Sequence, residues 1–260
     1  MPSMLAGNLN QRHSMKTPIT IAQSSQVGGR DHNEDAGASV FLDDGVLLVV
    51  ADGLGGHEGG ELASSHFVAA LTDLAVELEQ ALHENPAATC RRLIEEAGLR
   101  MRDQLAETDP ALTAHTTCVL AWVTDRAVTV AHAGDSRLYR LGQGELRWRT
   151  RDHSIVQLLI DQGELDEAER TRHPDQARLY KSVSGSKPAN PSVKELAPLE
   201  PGEAVLLCSD GFWGQVEEAE MAGLVGAADL QGSLEALTTT AVNRAGAHSD
   251  NATALVAVAR

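Results

Sequence analysis

Hydrophobic residues along the chain follow two rhythms. Continuous apolar runs occur at Val46–Ala51 and Ala204–Cys208, and a third, Ala252–Ala259, closes the sequence. Runs of that length and kind predict strands buried on both faces. Shorter strand patterns occupy Ile19–Gln23, Val40–Leu42, Thr116–Val123, Ala127–Ala133, Arg137–Leu141 and Glu145–Arg149, with Gly142-Gln143-Gly144 turning the last two into a hairpin. The second rhythm is helical. Leu62, Phe67, Ala70, Leu71, Leu74, Leu78 and Leu82 share one face of a helix over Glu61–His83, which Asn85-Pro86 breaks. Ala87–Leu105 is a second amphipathic helix, built on Leu93, Ile94, Leu99 and Met101. Further helices are predicted over Ile155–Gln162, behind the capping stretch Asp152-His153-Ser154, and over Glu217–Val225 and Leu230–Ala245. Between them, Gly163–Pro174 is charged and polar and reads as an exposed, mobile segment with one short helix. Strands, helices and strands grouped in this order predict an α+β fold, a sheet sandwich with helices layered outside it, and not alternating βα units.

The acidic positions punctuate this pattern. Val46–Ala51 ends in Asp52, and Gly53, Gly55, Gly56, Gly59 and Gly60 follow at once. Ala204–Cys208 ends in Ser209-Asp210-Gly211, and Asp250-Asn251 stands directly before the last run. Asp52 alone would suit a capped strand-to-helix turn, but the same pattern recurs. In an antiparallel sheet the end of one strand lies beside the start of its neighbour, so Asp52, Asp210 and Asp250 are expected to converge at one end of a sheet. Converging carboxylates repel one another unless cations sit between them. Oxygen donors without Cys or His suit hard ions, Mg2+ or Mn2+.

Charge and length narrow the class. The formal net charge of −16 over 260 residues disfavours nucleic acid and anionic membrane as partners. Cys90, Cys118 and Cys208 are widely spaced in apolar or helical settings, which predicts buried thiols in a reducing compartment. No apolar run approaches a membrane span, and no signal peptide opens the chain. The expectation is a cytoplasmic monomer: residues 1–16 a disordered lead without periodicity, residues 17–260 one domain.

Five stretches, taken in order, resemble the motifs of the metal-dependent protein phosphatases, the PPM or type 2C family, in its bacterial serine/threonine branch. They are Arg30-Asp31-His32-Asn33-Glu34-Asp35-Ala36, Val50-Ala51-Asp52-Gly53-Leu54-Gly55-Gly56-His57, Gly134-Asp135-Ser136-Arg137, Cys208-Ser209-Asp210-Gly211 and Asp250-Asn251-Ala252-Thr253. The resemblance covers about residues 19–260. It implies an αββα sandwich, two central antiparallel sheets flanked by helices. It also implies hydrolysis of phosphoserine and phosphothreonine by direct attack of a water activated at a binuclear Mn2+ or Mg2+ centre, without a phosphoenzyme. By resemblance Asp52 bridges the two metals, the Gly53 carbonyl binds one, and Asp210 and Asp250 complete the other. Glu34 holds a metal-bound water, Asp35 orients that shell, and Arg30 clamps the substrate phosphate with its planar fork. Asp135 on its own would pair with Arg137 or cap a turn; the resemblance makes it, with Asp210, the site of a third and weaker metal. The implied partners are phosphorylated proteins and a cognate Ser/Thr kinase, and the implied flap beside the site is the segment at about 163–175.

The chain also departs from the family. Leu54 follows Asp52-Gly53, where eukaryotic relatives place a histidine that serves as general acid, and His57 reads as part of the glycine-loop scaffold. His115-Thr116-Thr117 stands for the family's Gly-Thr-Thr, with packing consequences expected. His153 and His173 read as structural, and Trp122, Trp148 and Trp213 as packing residues. The acidic run Glu164–Glu169 reads as a solvated helix face. Two other classes compete: a catalytically weak phosphoprotein-binding pseudophosphatase, and a hydrolase of small phosphoesters, for which no nucleotide-binding motif speaks.

Overall fold

The computed structural model describes residues 15–55, 58–109, 111, 113–142 and 144–260. His57, and all but the last two residues of the expected disordered lead, lie outside the described residues. Two antiparallel sheets face each other. One runs β1 (Ile19–Gln26), β11 (Ala252–Ala259), β10 (Glu203–Cys208), β7 (Arg137–Gly142), β8 (Glu145–Arg149). The other runs β2 (Asp35–Leu42), β3 (Gly45–Leu54), β5 (Cys118–Thr124), β6 (Val128–Ala133), β9 (Ser192–Leu196), with the two-residue β4 (His115–Thr116) paired to the end of β3.

The continuous apolar runs are continuous because each such strand has an apolar layer on either side. From β3, Val46, Leu48 and Val50 enter the layer between the sheets, where they meet Val119 and Val130 of their own sheet and Val205, Leu207 and Leu255 of the other. The alternate residues Leu47, Val49 and Ala51 point out to a helical layer. That layer is α1 (Glu58–Glu77), α2 (Glu79–Glu84) and α3 (Pro86–Thr108), anchored by Phe67, Leu71, Leu74, Leu93, Ile94 and Met101. On the opposite side Leu206, Cys208, Ala254 and Val256 face α5 (Asp210–Trp213), α6 (Glu218–Ala222) and α7 (Leu230–Ala245). The order is helix, sheet, sheet, helix, and the three cysteines are buried and free within it. No helix among the described residues is long and apolar enough to cross a membrane.

Several boundaries differ from the hydrophobic pattern. The helix expected over Glu61–His83 begins at Glu58 and is interrupted at Leu78, separating α1 from α2; apolar spacing continues through the break because both pieces pack on the same core. Asn85-Pro86 ends α2 and starts α3, with the Asn85 side chain accepting from the Ala88 N–H and Pro86 in the first turn. The strand expected over Thr116–Val123 is split at Thr117, between β4 and β5. β9 and α5 were not expected. β9 is a short, partly exposed edge strand without clean alternation, and α5 is a single turn.

Leu255 is fully buried between the sheets. Leu255→Ala is expected to lower the unfolding free energy by about 2–5 kcal/mol, through lost burial and the cavity left behind; urea titration followed by far-UV circular dichroism measures it.

Candidate active site

Strand pairing brings the first two acids together. Asp35 opens β2 and stands opposite Asp52 of β3 in register. Asp210 follows β10 and Asp250 precedes β11, and these neighbours are antiparallel, so both acids lie at the same end. The expected convergence at the end of one sheet is therefore corrected: Asp52 comes from one sheet, Asp210 and Asp250 from the other, and they meet at the end of the sandwich. Asp135 joins them from the loop between β6 and β7.

Burial and mutual repulsion dominate the electrostatics. Asp52 is pushed well above the usual carboxylate range, first by burial and then by Asp35, Asp210, Asp135 and Asp250. Asp135 is pushed up by burial and by Asp210. Asp35 rises to about 7 and Asp210 to about 6, burial leading in both. Glu34, less buried, is raised by desolvation against the pull of Arg30. Arg30 donates to the Asp250 carboxylate at 2.7 Å, both side chains being half exposed. Among the described residues no three metal-ligating side chains already stand at ion-enclosing spacing. The donor set nevertheless fits hard divalent cations: oxygens only, mutually repelling, and short of positive charge.

A frame of neutral side chains holds this arrangement. Ser209 donates to Asp35 Oδ2 at 2.6 Å and accepts from the Thr253 N–H at 3.0 Å, tying β2 of one sheet to β11 of the other. Thr117 accepts from the Asp52 N–H at 2.9 Å and shares a 2.6 Å hydrogen bond with Ser136. Asn251 accepts from the Glu34 N–H and donates to the Val27 and His32 carbonyls, stapling the loop that carries Arg30 and Glu34. The Gly53 N–H donates to the Glu34 carbonyl at 2.9 Å. A Cβ on Gly53 would lie 2.0 Å from the Gly60 carbonyl oxygen, so glycine is required there by close approach. Ser209, Thr117 and Asn251 all sit inside or beside the motifs quoted above, yet hydroxyls and amides carry no signal of their partners in sequence. His115 is exposed and contacts Ser182, so the departure from Gly-Thr-Thr is absorbed at the surface.

Arg30, Asp135, Asp210 and Asp250 line a cleft of about 380 Å³, whose far wall includes Arg170 and Gln176 of the segment expected to form a flap. That segment contains one short 3-10 helix, Glu167–Arg172, and its acidic residues face solvent. It is not simply exposed and mobile, however. Arg170 is buried and donates to Asp152 at 3.0 Å and to Gln157 at 2.6 Å. Asp152 also takes a two-pronged contact from Arg137, 2.7 Å on each oxygen. Arg137 thus pairs with Asp152 and not with Asp135. Its guanidinium lies 3.4 Å from the ring centre of Trp213, whose indole N–H donates to the Asp135 carbonyl at 2.9 Å. Trp213, expected to be a packing residue, is part of the cleft wall. His153 is structural as expected, bonded to Gly134 and Ser192 and stacked on His132 at 4.4 Å.

Two facing antiparallel sheets between helices, with an acidic cleft at one end, define the class, and the comparisons agree. Residues 23–253 match the family described as protein phosphatase 2C. The chain is 35% identical over 198 residues to the serine/threonine phosphatase stp of Listeria monocytogenes, covering 74% of this chain and 77% of that protein. It is 30% identical over 245 residues to the serine/threonine protein phosphatase PstP of Mycobacterium tuberculosis, covering 91% of this chain and 44% of that protein. The solved serine/threonine phosphatase of S. agalactiae superposes with a TM-score of 0.83 at 27% identity, covering 94% of this chain and 100% of that chain. The catalytic domain of PstP in complex with 2 manganese ions superposes with a TM-score of 0.74 at 28% identity, covering 92% of this chain and 97% of that chain. The chain belongs to the protein phosphatase 2C family. It is a metal-dependent phosphoprotein phosphatase of the bacterial PPM type.

Arg170→Ala removes the flap's bonds to Asp152 and Gln157. Losing hydrogen bonds to charged groups worth roughly 1.5–3 kcal/mol should raise the detached population of residues 163–175 by about ten- to a hundredfold. Limited proteolysis mapped by mass spectrometry should show proportionally faster cleavage inside that segment, with the rest of the chain still protected.

Proposed function

We propose that the chain is a serine/threonine protein phosphatase that opposes a bacterial Ser/Thr kinase, with a pair of divalent cations, Mn2+ or Mg2+, held at the acidic end of the sandwich. The observation that carries this reading is the cluster of Asp52, Asp135, Asp210 and Asp35, contributed by both sheets, Asp35 and Asp135 buried and Asp52 and Asp210 half-buried, and raised in pKa by desolvation first and by neighbouring carboxylates second. The relatives' names supply the substrate class: phosphoserine and phosphothreonine in proteins.

Asp52 would bridge the pair, with the Gly53 carbonyl and the Glu34 side chain serving one cation and Asp210 and Asp250 the other. When bound, the cations lower the pKa of the water that attacks phosphorus and neutralise charge on the phosphate oxygens. Asp35, fixed by Ser209, would orient water in the cleft through its carboxylate. Asp135 with Asp210 offers a third and weaker position, since Arg137 is committed to Asp152 and leaves the Asp135 carboxyl without an ion pair from that side. Arg30 at the cleft mouth binds the substrate phosphate: a half-exposed guanidinium can exchange Asp250 for phosphate oxygens without crossing the core. The pseudophosphatase reading has less support, because each carboxylate that the family motifs require is present.

Chelation should abolish turnover of a phosphothreonine peptide, and Mn2+ or Mg2+ should restore it. Asp52→Asn should reduce kcat by at least about a thousandfold, on the scale of losing the main electrostatic contribution to a phosphoryl-transfer site. Full activity in excess chelator would exclude the two-cation reading, and tight metal binding without any turnover would favour the pseudophosphatase.

Arg30→Ala should raise KM by roughly tenfold or more, the loss of a charge-assisted contact worth about 1.5–3 kcal/mol. Arg30→Lys should recover only part of it, since a point charge cannot make the two-pronged contact. Steady-state kinetics on the same peptide measure both, and an unchanged KM in Arg30→Ala would remove Arg30 from the phosphate site.

A further inference from the structure

The edges of the two sheets that carry β8 and β9 do not close on each other. Between them lies a cavity of about 460 Å³, which adjoins the catalytic cleft at Asp152 and is otherwise lined by different residues. One wall is Trp148 with the chain that follows it from β8, the other is His132 of β6 and Lys194 of β9, and Tyr180 stands at the rim. The volume falls within the range of small-molecule sites.

The wall is preformed. His132 and His153 stack at 4.4 Å with their planes 10° apart, and Tyr180 meets His153 edge-on at 5.5 Å. His132 Nε2 bonds to the Arg151 carbonyl at 2.9 Å, and His153 bonds to the Ser192 hydroxyl at 2.9 Å and the Gly134 N–H at 3.2 Å, so neither ring is free to turn. Burial lowers the pKa of both rings and keeps them neutral aromatic surfaces. Tyr180 is 45% exposed, an aromatic edge left open to solvent.

The charge on this wall runs against that of the whole protein. Its acids are Asp152, consumed by Arg137 and Arg170, and Asp161, consumed by Arg151. Arg149 is ion-paired to Glu167 at 3.7 Å and Glu218 at 3.8 Å, carboxylates that do not line the cavity. Lys194, exposed at the rim, is then the cavity's one cation without an ion pair among the described residues, and the aromatic surfaces open beside it are those of the half-buried Trp148 and the exposed Tyr180, on a chain of formal net charge −16. Such a pairing recognises a flat ring by stacking and an attached anion by charge-assisted hydrogen bonds.

We propose that this cavity is a second binding site, for a small planar aromatic molecule bearing a phosphate or a carboxylate. The site stands independently of the catalytic reading, since none of the residues assigned to metal or substrate lines it.

The test is isothermal titration calorimetry on the Mn2+-loaded full chain, with AMP and 4-hydroxybenzoate as probes and adenosine and inorganic phosphate as controls. At least one aromatic anion should bind about tenfold or more tighter than either control, and which of the two binds identifies the anion. Lys194→Glu and Tyr180→Ser should each weaken it by about tenfold, Lys194→Arg should retain it, and Asp52→Asn should leave it intact. Lys194 and Tyr180 are exposed, and thermal melts verify that their variants fold. Probes that bind no tighter than the controls, affinity unchanged in Lys194→Glu, or binding lost in Asp52→Asn and kept in Lys194→Glu would each overturn the proposal. The last result would assign the ligand to the catalytic centre.

Discussion

Four aspartates at the end of two apolar sheets, Asp35 and Asp135 buried and Asp52 and Asp210 half-buried, repel one another, and much of the architecture serves to hold them there. Asp35 and Asp52 face each other in paired strands, Asp135 sits in the loop between β6 and β7, and Asp210 follows the end of β10. Among the described residues no basic side chain is ion-paired to these four: Arg30 pairs with Asp250 at the cleft mouth, and Arg137 is diverted to Asp152. A site left short of positive charge in this way is destabilising for the bare fold and favourable for a divalent cation. The same imbalance links stability to metal, because an ion that binds the folded chain and not the unfolded one shifts the folding equilibrium.

Neutral hydrogen bonds make the repulsion tolerable. Ser209, Thr117 and Asn251 each connect two segments at the mouth of the sandwich, and each satisfies a backbone N–H as well as positioning an acid or its loop. A hydroxyl or amide adds no charge to the cluster, so it can position carboxylates without neutralising them. A basic residue in the same place would compete with the cation.

The buried Arg137–Asp152–Arg170 group does the corresponding work on the other side of the cleft. Asp152 accepts from an arginine of the sheet and from an arginine of the flap, and Arg137 packs on the tryptophan that holds the Asp135 backbone. Flap, cleft wall and Asp135 are therefore joined through one carboxylate. Buried ion pairs are weak sources of stability but demanding in geometry, and here the geometry fixes how the flap lies beside the site.

Much of this was legible in the chain. The apolar runs at Val46–Ala51 and Ala252–Ala259 identify strands covered on both faces, because only such strands can omit polar residues. Asp52, Asp210 and Asp250 stand out because an acid ending or preceding such a run has no cheap place to go. The order of the motifs identified the family, and Leu230–Ala245 and Ile155–Gln162 follow from helical spacing and a capping serine, local signals that need no partner. What the tertiary structure decided depends on contacts between residues far apart in sequence. Which sheet each acid comes from depends on strand pairing between distant segments, Cys208 opposite Ala254 and Ile19 opposite Ala259. That Arg170 is buried, in a segment whose composition reads as exposed, depends on Asp152 already being in place to receive it. β9 became a strand because β6 offered it an unpaired edge, not through any alternation of its own. Local composition sets which residues seek burial and which seek water; whether a buried charge finds a partner is settled only when the two sheets close on each other.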